Sequence, residues 1–448
     1  MPRGPARPAP SVFPALRSPV RHPTDHIFEF TPESLAAWCG QRGMPAFRAR
    51  QILEWVYARG VADPSQMSNL SKRDRDLLAA EMTFRSGDVI SHQRASDGTQ
   101  KLLVQWRDGG GEGGANGAKA AKGADAGKEV DDGYERTISL PLSGPSGDSV
   151  RTLDTARQTE CVMIPAGGSI KEWNDGDDEV QAVQTRVRRT ACISSQVGCP
   201  VGCRFCASGI GGLDGNLSAG RIVEQVWGLQ SVLGSQPLGI PPGTGGLPRI
   251  TNVVFMGMGE PLSNFSAVTS AIRVLNAPWG MNIGARRITI STVGLPKAIE
   301  KLAAEFELPV TLALSLHAPT DEIRRSLIPW AEYTTIADLL AACQKWFSKT
   351  GREITLEYIL LREVNDRPEH ARQLAEVART LRANVNLIRY NEVKGMPFGR
   401  PEDDDVLAFQ RILRDARVNT HIRASRGRDI AAACGQLRHE ATQQAARP

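Results

Sequence analysis

The sequence predicts an α/β protein: a full or partial (β/α) barrel of parallel strands, preceded by a small helical unit. Three observations carry that expectation. From Thr190 to about residue 424, short apolar runs alternate with segments of helical period, the pattern of parallel strands joined by crossover helices. Polar residues and glycines fall just after those apolar runs end, where barrels gather functional groups. Three cysteines, Cys199, Cys203 and Cys206, stand in one glycine- and proline-broken loop that follows the first of these strands.

The chain has 448 residues, enough for one large unit and a smaller one. No apolar run is long enough to cross a membrane. Lys and Arg number 54 against 49 Asp and Glu, so the net charge is +5, a mild excess that permits nucleic-acid binding without establishing it. Eight cysteines in a chain this long, three of them in one loop, favour metal or redox chemistry over a disulfide framework. That points to a reducing, cytoplasmic setting.

Residues 1–25 contain four arginines, several prolines and no acidic residue before Asp25. They read as a disordered basic arm, with a targeting segment as the other reading. Residues 26–107 read as a helical accessory unit. Thr31-Pro32 starts a helix, with Thr as cap and Pro in the first turn. The stretch from Phe47 to Tyr57 places Phe47, Ile52, Trp55 and Val56 on one face, with Arg48 and Arg50 turned away. Ser71 caps a third helix, and Lys101–Trp106 reads as a strand. Such a unit either contacts RNA or simply packs. Residues 108–133 are a Gly/Ala-rich flexible insertion. Residues 134–440 form the main unit, with a polar insertion at 165–189.

Within that unit, strands are expected at 190–194, 250–256, 286–291, 309–316, 353–360, 385–390 and 420–424. Helices are expected at 217–233, 265–277, 295–304, 335–348, 367–382 and 402–416. Just past the strands come Gly257-Met-Gly259-Glu260-Pro261, Ser291, Ser315-Leu316-His317, Asn391 and Arg426-Gly427. The glycines let backbone approach a ligand. Glu260 can accept from an ammonium group, and Ser291 and Asn391 can bond a carboxylate or ribose. Three thiolates suit an iron–sulfur cluster that leaves one iron open for S-adenosylmethionine (SAM). A zinc knuckle with Cys192 as fourth ligand is the competing reading. Arg411, Arg414, Arg417, Arg423, Arg426 and Arg428 precede Cys434 and suit phosphate contacts. Cys39, Cys161 and Cys343 read as small buried hydrophobes.

Cys192-x6-Cys199-x3-Cys203-x2-Cys206, Met256-Gly-Met-Gly-Glu-Pro-Leu262, Ser315-Leu-His-Ala318 and the stretch from Arg426 to Leu437 resemble the signatures of the RlmN family. Its members are radical SAM methyltransferases of adenosine carbon 2 in 23S ribosomal RNA and tRNA. The resemblance extends to Pro45–Trp55 and Asn69–Ser71 and runs from about residue 30 to 440. It implies a 4Fe–4S cluster on Cys199, Cys203 and Cys206. It implies SAM, two per turnover, on Gly259, Glu260, Ser291, Ser315, Leu316, His317 and Asn391. Cys434 would become S-methylcysteine, and a 5′-deoxyadenosyl radical would take hydrogen from that methyl. The methylene radical would add to adenine, Glu160 would remove the carbon-2 proton, and Cys192 would attack the Cys434 sulfur, forming a transient disulfide. A flavodoxin or ferredoxin would supply electrons to a monomeric enzyme. The nearest rival is the carbon-8 methyltransferase (Cfr) branch, which shares the cluster and both further cysteines. From another class, a non-catalytic RNA-binding or zinc protein leaves the polar strand ends unexplained.

Overall fold

The computed structural model describes residues 20–108, 154–166, 188–234 and 249–437. Most of the basic arm and of the two insertions lies outside these residues. In chain order the elements begin with α1 (Pro32–Gln41), α2 (Arg48–Leu53) and α3 (Lys72–Glu81), then β1 (Gly87–Arg94), β2 (Gln100–Trp106), β3 (Gln158–Ala166) and β4 (Arg188–Cys192). A small hairpin of β5 (Gln196–Gly198) and β6 (Leu213–Asn216) follows, then α4 (Ala219–Gly234), β7 (Asn252–Phe255), α5 (Phe265–Asn276), β8 (Ile288–Thr292), α6 (Pro296–Glu305) and β9 (Thr311–Ser315). The chain continues through α7 (Asp321–Leu327), α8 (Ile336–Thr350), β10 (Ile354–Leu360), α9 (Pro368–Arg379), β11 (Ala383–Arg389), α10 (Asp403–Asp415) and β12 (Thr420–Arg423).

One ten-stranded sheet organises the fold, in the order β1-β2-β3-β4-β7-β8-β9-β10-β11-β12. From β4 onward every pairing is parallel, and the four leading strands pair antiparallel. Among the described residues β12 does not pair back to β1, so the barrel is partial, one of the two forms the sequence pattern allows. The expected strands and helices of the parallel part fall within three residues of those observed. The sheet also extends backward: Gly87–Trp106 is a hairpin of the main sheet, so the leading unit is helical only through Glu81.

Strand alternation explains what faces where. On β8 and β9, Ile288, Ile290, Leu312 and Leu314 turn outward and pack with the helices in the main core. Their alternates Thr289, Ser291, Thr311 and Ser315 turn inward and line the barrel lumen. The helical unit is held to the barrel through α4. Phe28 stacks 5.8 Å from Trp227, and the Trp227 indole N–H donates to the Val56 carbonyl at 2.9 Å.

The expected caps of α1 and α3 are present. The Thr31 hydroxyl accepts from Ser34 N–H and the Ser71 hydroxyl from Asp74 N–H. The face assigned to α2 needs correction at two residues. Phe47 precedes the helix and is 58% exposed, whereas Arg48 is drawn inward to donate to the Asn69 carbonyl at 2.7 Å. Ile52 and Val56 are buried, as their spacing requires.

Candidate active site

The three-cysteine loop leaves β5 and closes on a short turn at Ala207–Gly209. Gly202 sits at φ +68°, a conformation that lets the loop double back between two of its cysteines. Phe205 packs edge-on against His317 with ring centres 5.1 Å apart, tying the loop to the end of β9. Burial pushes the Cys199 thiol up to about 12 and raises Cys203 and Cys206 as well; Cys206 raises Cys199, Cys206 and Cys199 raise Cys203, and Cys434 raises Cys206. Three neighbouring thiols whose ionisation is disfavoured call for a cationic centre that binds them as thiolates. Arg324 lies beside Cys203, fully buried, with Nη1 lacking a hydrogen-bond partner. Its other nitrogens hold the strand ends, Nε on the Leu316 carbonyl at 3.2 Å and Nη2 on the Val293 carbonyl at 2.6 Å. Buried positive charge next to the triplet fits the negative charge of a thiolate-bound iron–sulfur cluster. Cys192, by contrast, lines the lumen together with Cys434 and is not among the walls of the cavity that the triplet lines. The zinc-knuckle reading therefore loses its fourth ligand.

Beside the loop is a cavity of about 160 Å³, walled by the cysteine triplet, Gly257, Gly259, Glu260, Ser291, Ser315 and His317. The glycines are dictated by close approach. A Cβ on Gly257 would meet the Ile193 backbone at 2.7 Å, and one on Gly259 (φ +102°) would meet Gln196 at 2.6 Å. Glu260 is buried; Oε1 accepts from Leu262 N–H at 3.0 Å and Oε2 from Val293 N–H at 2.8 Å. Burial raises its carboxyl despite these donors, so an arriving ammonium group would find an under-compensated acid. The Ser291 and Ser315 hydroxyls lie 3.3 Å apart on adjacent strands. His317, at φ +59°, is held down to about 3, first by burial and then by Arg324. It is therefore neutral, and its Nδ1 accepts from Ile359 N–H at 3.1 Å, leaving Nε2 as the protonated nitrogen. Leu316 is buried and packs into the main core, and its N–H bonds the Leu314 and Glu357 carbonyls. Its place here is as backbone.

A second cavity of about 620 Å³ continues down the lumen and shares Met256, Glu357, Ile388, Arg423 and Cys434 with the first. Cys192 and Cys434 both line it. Burial pushes the Cys192 thiol up to about 12, and Cys434 adds to the rise while Arg423 opposes it. Cys434 rides on a loop after β12. Its carbonyl accepts from Asn391 Nδ2 at 3.3 Å, and the Gly435 carbonyl accepts from Ala207 N–H at 2.8 Å, beside Cys206. The cysteine that sequence reasoning placed in the tail is thus stitched directly to the cluster loop.

Glu160 lies on β3, where Val162 and Ile164 share its face and pack around Cys192. Its Oε1 is 3.0 Å from Lys101 Nζ, and both side chains are buried. Cys161, the next residue, points to the opposite face and is fully buried in the outer core, as are Cys39 and Cys343. Of the arginines near Cys434, Arg423 and Arg426 line the lumen, while Arg414 on α10 reaches the Thr420 carbonyl. Sequence reasoning read Arg188 as part of a solvated surface run and missed Arg286 and Arg287; all three rim the lumen at the N-terminal ends of the strands, and the buried Glu357, Lys101 and Arg324 were missed too. The two-residue alternation of polar and apolar residues in the strands is the signal that would have found the lumen set.

Fold and site together define a radical SAM methyltransferase. A crystal structure of a radical SAM methyltransferase from Sphaerobacter thermophilus superposes with a TM-score of 0.72 at 34% identity, covering 93% of this chain and all of that one. Residues 26–83 match the model of the ribosomal RNA large subunit methyltransferase N-terminal domain. The dual-specificity RNA methyltransferase RlmN of Sorangium cellulosum is 38% identical over 94% of this chain and 96% of its own, and that of Syntrophobacter fumaroxidans 37% identical over 92% and 97%. The chain belongs to the RlmN family.

Proposed function

We propose that this enzyme methylates carbon 2 of adenosine in 23S ribosomal RNA and in tRNA, using Cys434 as a methyl carrier and Cys192 to release it. One observation carries the reading: both thiols line one lumen, and Cys434 also walls the chamber of the cysteine triplet. Cys199, Cys203 and Cys206 would hold a 4Fe–4S cluster, and Gly259, Glu260, Ser291, Ser315, Leu316, His317 and Asn391 would hold SAM. Bound together, these groups supply a methyl donor and a hydrogen-abstracting radical, the chemistry an electron-poor ring carbon demands.

The chain's own residues do the rest. Glu260 meets the cofactor's ammonium group, and the Gly257–Gly259 backbone lets it lie close. The Cys434 thiolate accepts the methyl through its sulfur, with Arg423 alongside to balance the charge. After carbon 2 has joined the methylene on Cys434, the adduct gives its unpaired electron to a one-electron acceptor and Glu160 takes the carbon-2 proton. The Cys192 thiolate then attacks the Cys434 sulfur: an S–S bond forms, the C–S bond breaks, and the electron pair stays with carbon to be protonated as methyl. Until then Cys192 rests as a neutral buried thiol, and conversion of Cys434 to a thioether removes one of the groups that keep it so. Two SAM molecules are consumed per turnover, and an external reductant resets the disulfide.

A flipped adenosine entering the lumen would pass the rim of Arg188, Arg286, Arg287 and Arg426, all exposed and suited to phosphates. The helical unit at 26–83 would extend that contact. The reading is tested with two variants of reconstituted protein. Cys434→Ala should keep its cluster and lose RNA methylation; full activity would remove Cys434 from the reaction. Cys192→Ala should accumulate a covalent protein–RNA adduct, and a variant that turns over without one would make Cys192 structural.

A further inference from the structure

We propose that Lys101 is a positioning residue for the carbon-2 proton transfer, holding Glu160 as a carboxylate and fixing it to the loop that carries Cys434. The inference rests on the role assigned to Glu160 above and deepens it. Lys101 and Glu160 lie on the adjacent strands β2 and β3. Leu102, Val104 and Trp106 turn into the outer core, so Lys101 projects from the other face, the one Glu160 shares with Val162 and Ile164. There Lys101 Nζ lies 3.0 Å from Glu160 Oε1 and donates to the Ala431 carbonyl at 3.4 Å, three residues before Cys434.

A buried carboxylate without a cation is costly and tends to take up a proton. A neutral Glu160 could not serve as a base. The lysine stem thus joins the proposed base to the loop of the methyl carrier through one ammonium group. The neighbouring hairpin turn makes the same junction rigid: Asp97 Oδ2 accepts from Gly427 N–H at 3.1 Å, and Asp429 Oδ2 accepts from Ser96 N–H at 2.8 Å. The β1–β2 hairpin, which sequence reading assigned to the accessory unit, therefore clasps the Cys434 loop. In the step itself, a one-electron acceptor first takes the unpaired electron of the RNA adduct. The C2–H bond then breaks, its proton passes to a Glu160 oxygen, and its electron pair restores the purine π system.

The test uses reconstituted Lys101→Met and Lys101→Arg proteins with substrate RNA carrying hydrogen or deuterium at carbon 2. Lys101→Met should form S-methylcysteine at 434 like the wild type, by intact-protein mass spectrometry. Its RNA methylation should fall about 100-fold or more, with a primary deuterium isotope effect absent from the wild type, because proton removal becomes limiting. Lys101→Arg, which keeps the cation, should recover much of the rate. A merely structural lysine would depress Cys434 methylation and RNA methylation together with no isotope effect, and that result overturns the proposal. Should Lys101→Met not fold, Lys101→Met/Glu160→Gln leaves no unpaired buried charge and must regain folding and iron content. A pair that stays unfolded overturns the assignment too. Wild-type protein that makes no 2-methyladenosine would defeat the parent reading. Normal wild-type turnover with Lys101→Met within about threefold of it would defeat this inference alone.

Discussion

Gly259→Ala probes the cofactor pocket with a single methyl group. The new Cβ would sit 2.6 Å from Gln196 Cβ and 2.8 Å from the Ser195 hydroxyl, distances that oblige the loop or its neighbours to move. The backbone there has φ +102°, which a residue with a side chain occupies only at a cost of about 1–3 kcal/mol. Moving the loop also breaks the bond from Glu260 N–H to Gln196 Oε1, now 2.7 Å, worth about 0.5–1.5 kcal/mol net. Together these give about 2–4 kcal/mol, divided between folding stability and the placement of Glu260. If half falls on placement, SAM affinity drops about 5- to 30-fold, since 1.4 kcal/mol is a factor of ten. Equilibrium binding of SAM to the reconstituted protein, run beside thermal unfolding of the same sample, reads both shares. A variant with unchanged melting temperature and unchanged SAM affinity would refute the close-approach argument.

His317 and the rim arginines give two further expectations. The His317 imidazole is held near 3 in the fold and titrates near 6.5 when unfolded, so the unfolded chain binds its proton first as pH falls. The neutral form's contribution is therefore complete above pH 6.5 and is lost below it at about 1.4 kcal/mol per pH unit. Urea unfolding of wild type and His317→Gln at pH 7.5 and 5.5 should show the wild type losing about 1.4 kcal/mol more, and parallel losses would contradict a neutral buried His317. Arg286→Ala/Arg287→Ala should weaken RNA binding and flatten the log–log salt dependence by about 1.4, two single-strand phosphate contacts' worth. An unchanged slope would place the RNA elsewhere.

Much of this architecture is legible in the sequence because the parallel strands and crossover helices carry separate periods. Thr311–Ser315 shows the apolar outer face in Leu312 and Leu314, and α8 opens on Thr335, whose hydroxyl accepts from Asp338 N–H. The strand-end residues Gly259, Glu260, Ser291, Ser315 and His317 are equally readable, and the fold brings them to one cavity. What escaped has physical reasons. The strand β1 is rich in polar residues, Ser91-His-Gln-Arg94, and gains its place in the sheet by pairing with β2. Lys101 sits near the start of a strand, beside Gln100, where a lysine reads as solvent-facing, and only the distant Glu160 and Ala431 make it a buried partner. Arg324 resembles any helical surface arginine until α7 folds its side chain beneath the cluster loop. Phe47 keeps helical spacing yet stands outside the helix, so its exposure follows from the position of the first turn.

The central claim is that one lumen uses two thiols to methylate adenosine at carbon 2. Its most direct test is nucleoside mass spectrometry of ribosomal RNA and tRNA incubated with anaerobically reconstituted protein, reductant and SAM. The account predicts 2-methyladenosine, absent with Cys434→Ala. Formation of 8-methyladenosine, or 2-methyladenosine that persists without Cys434, would contradict it.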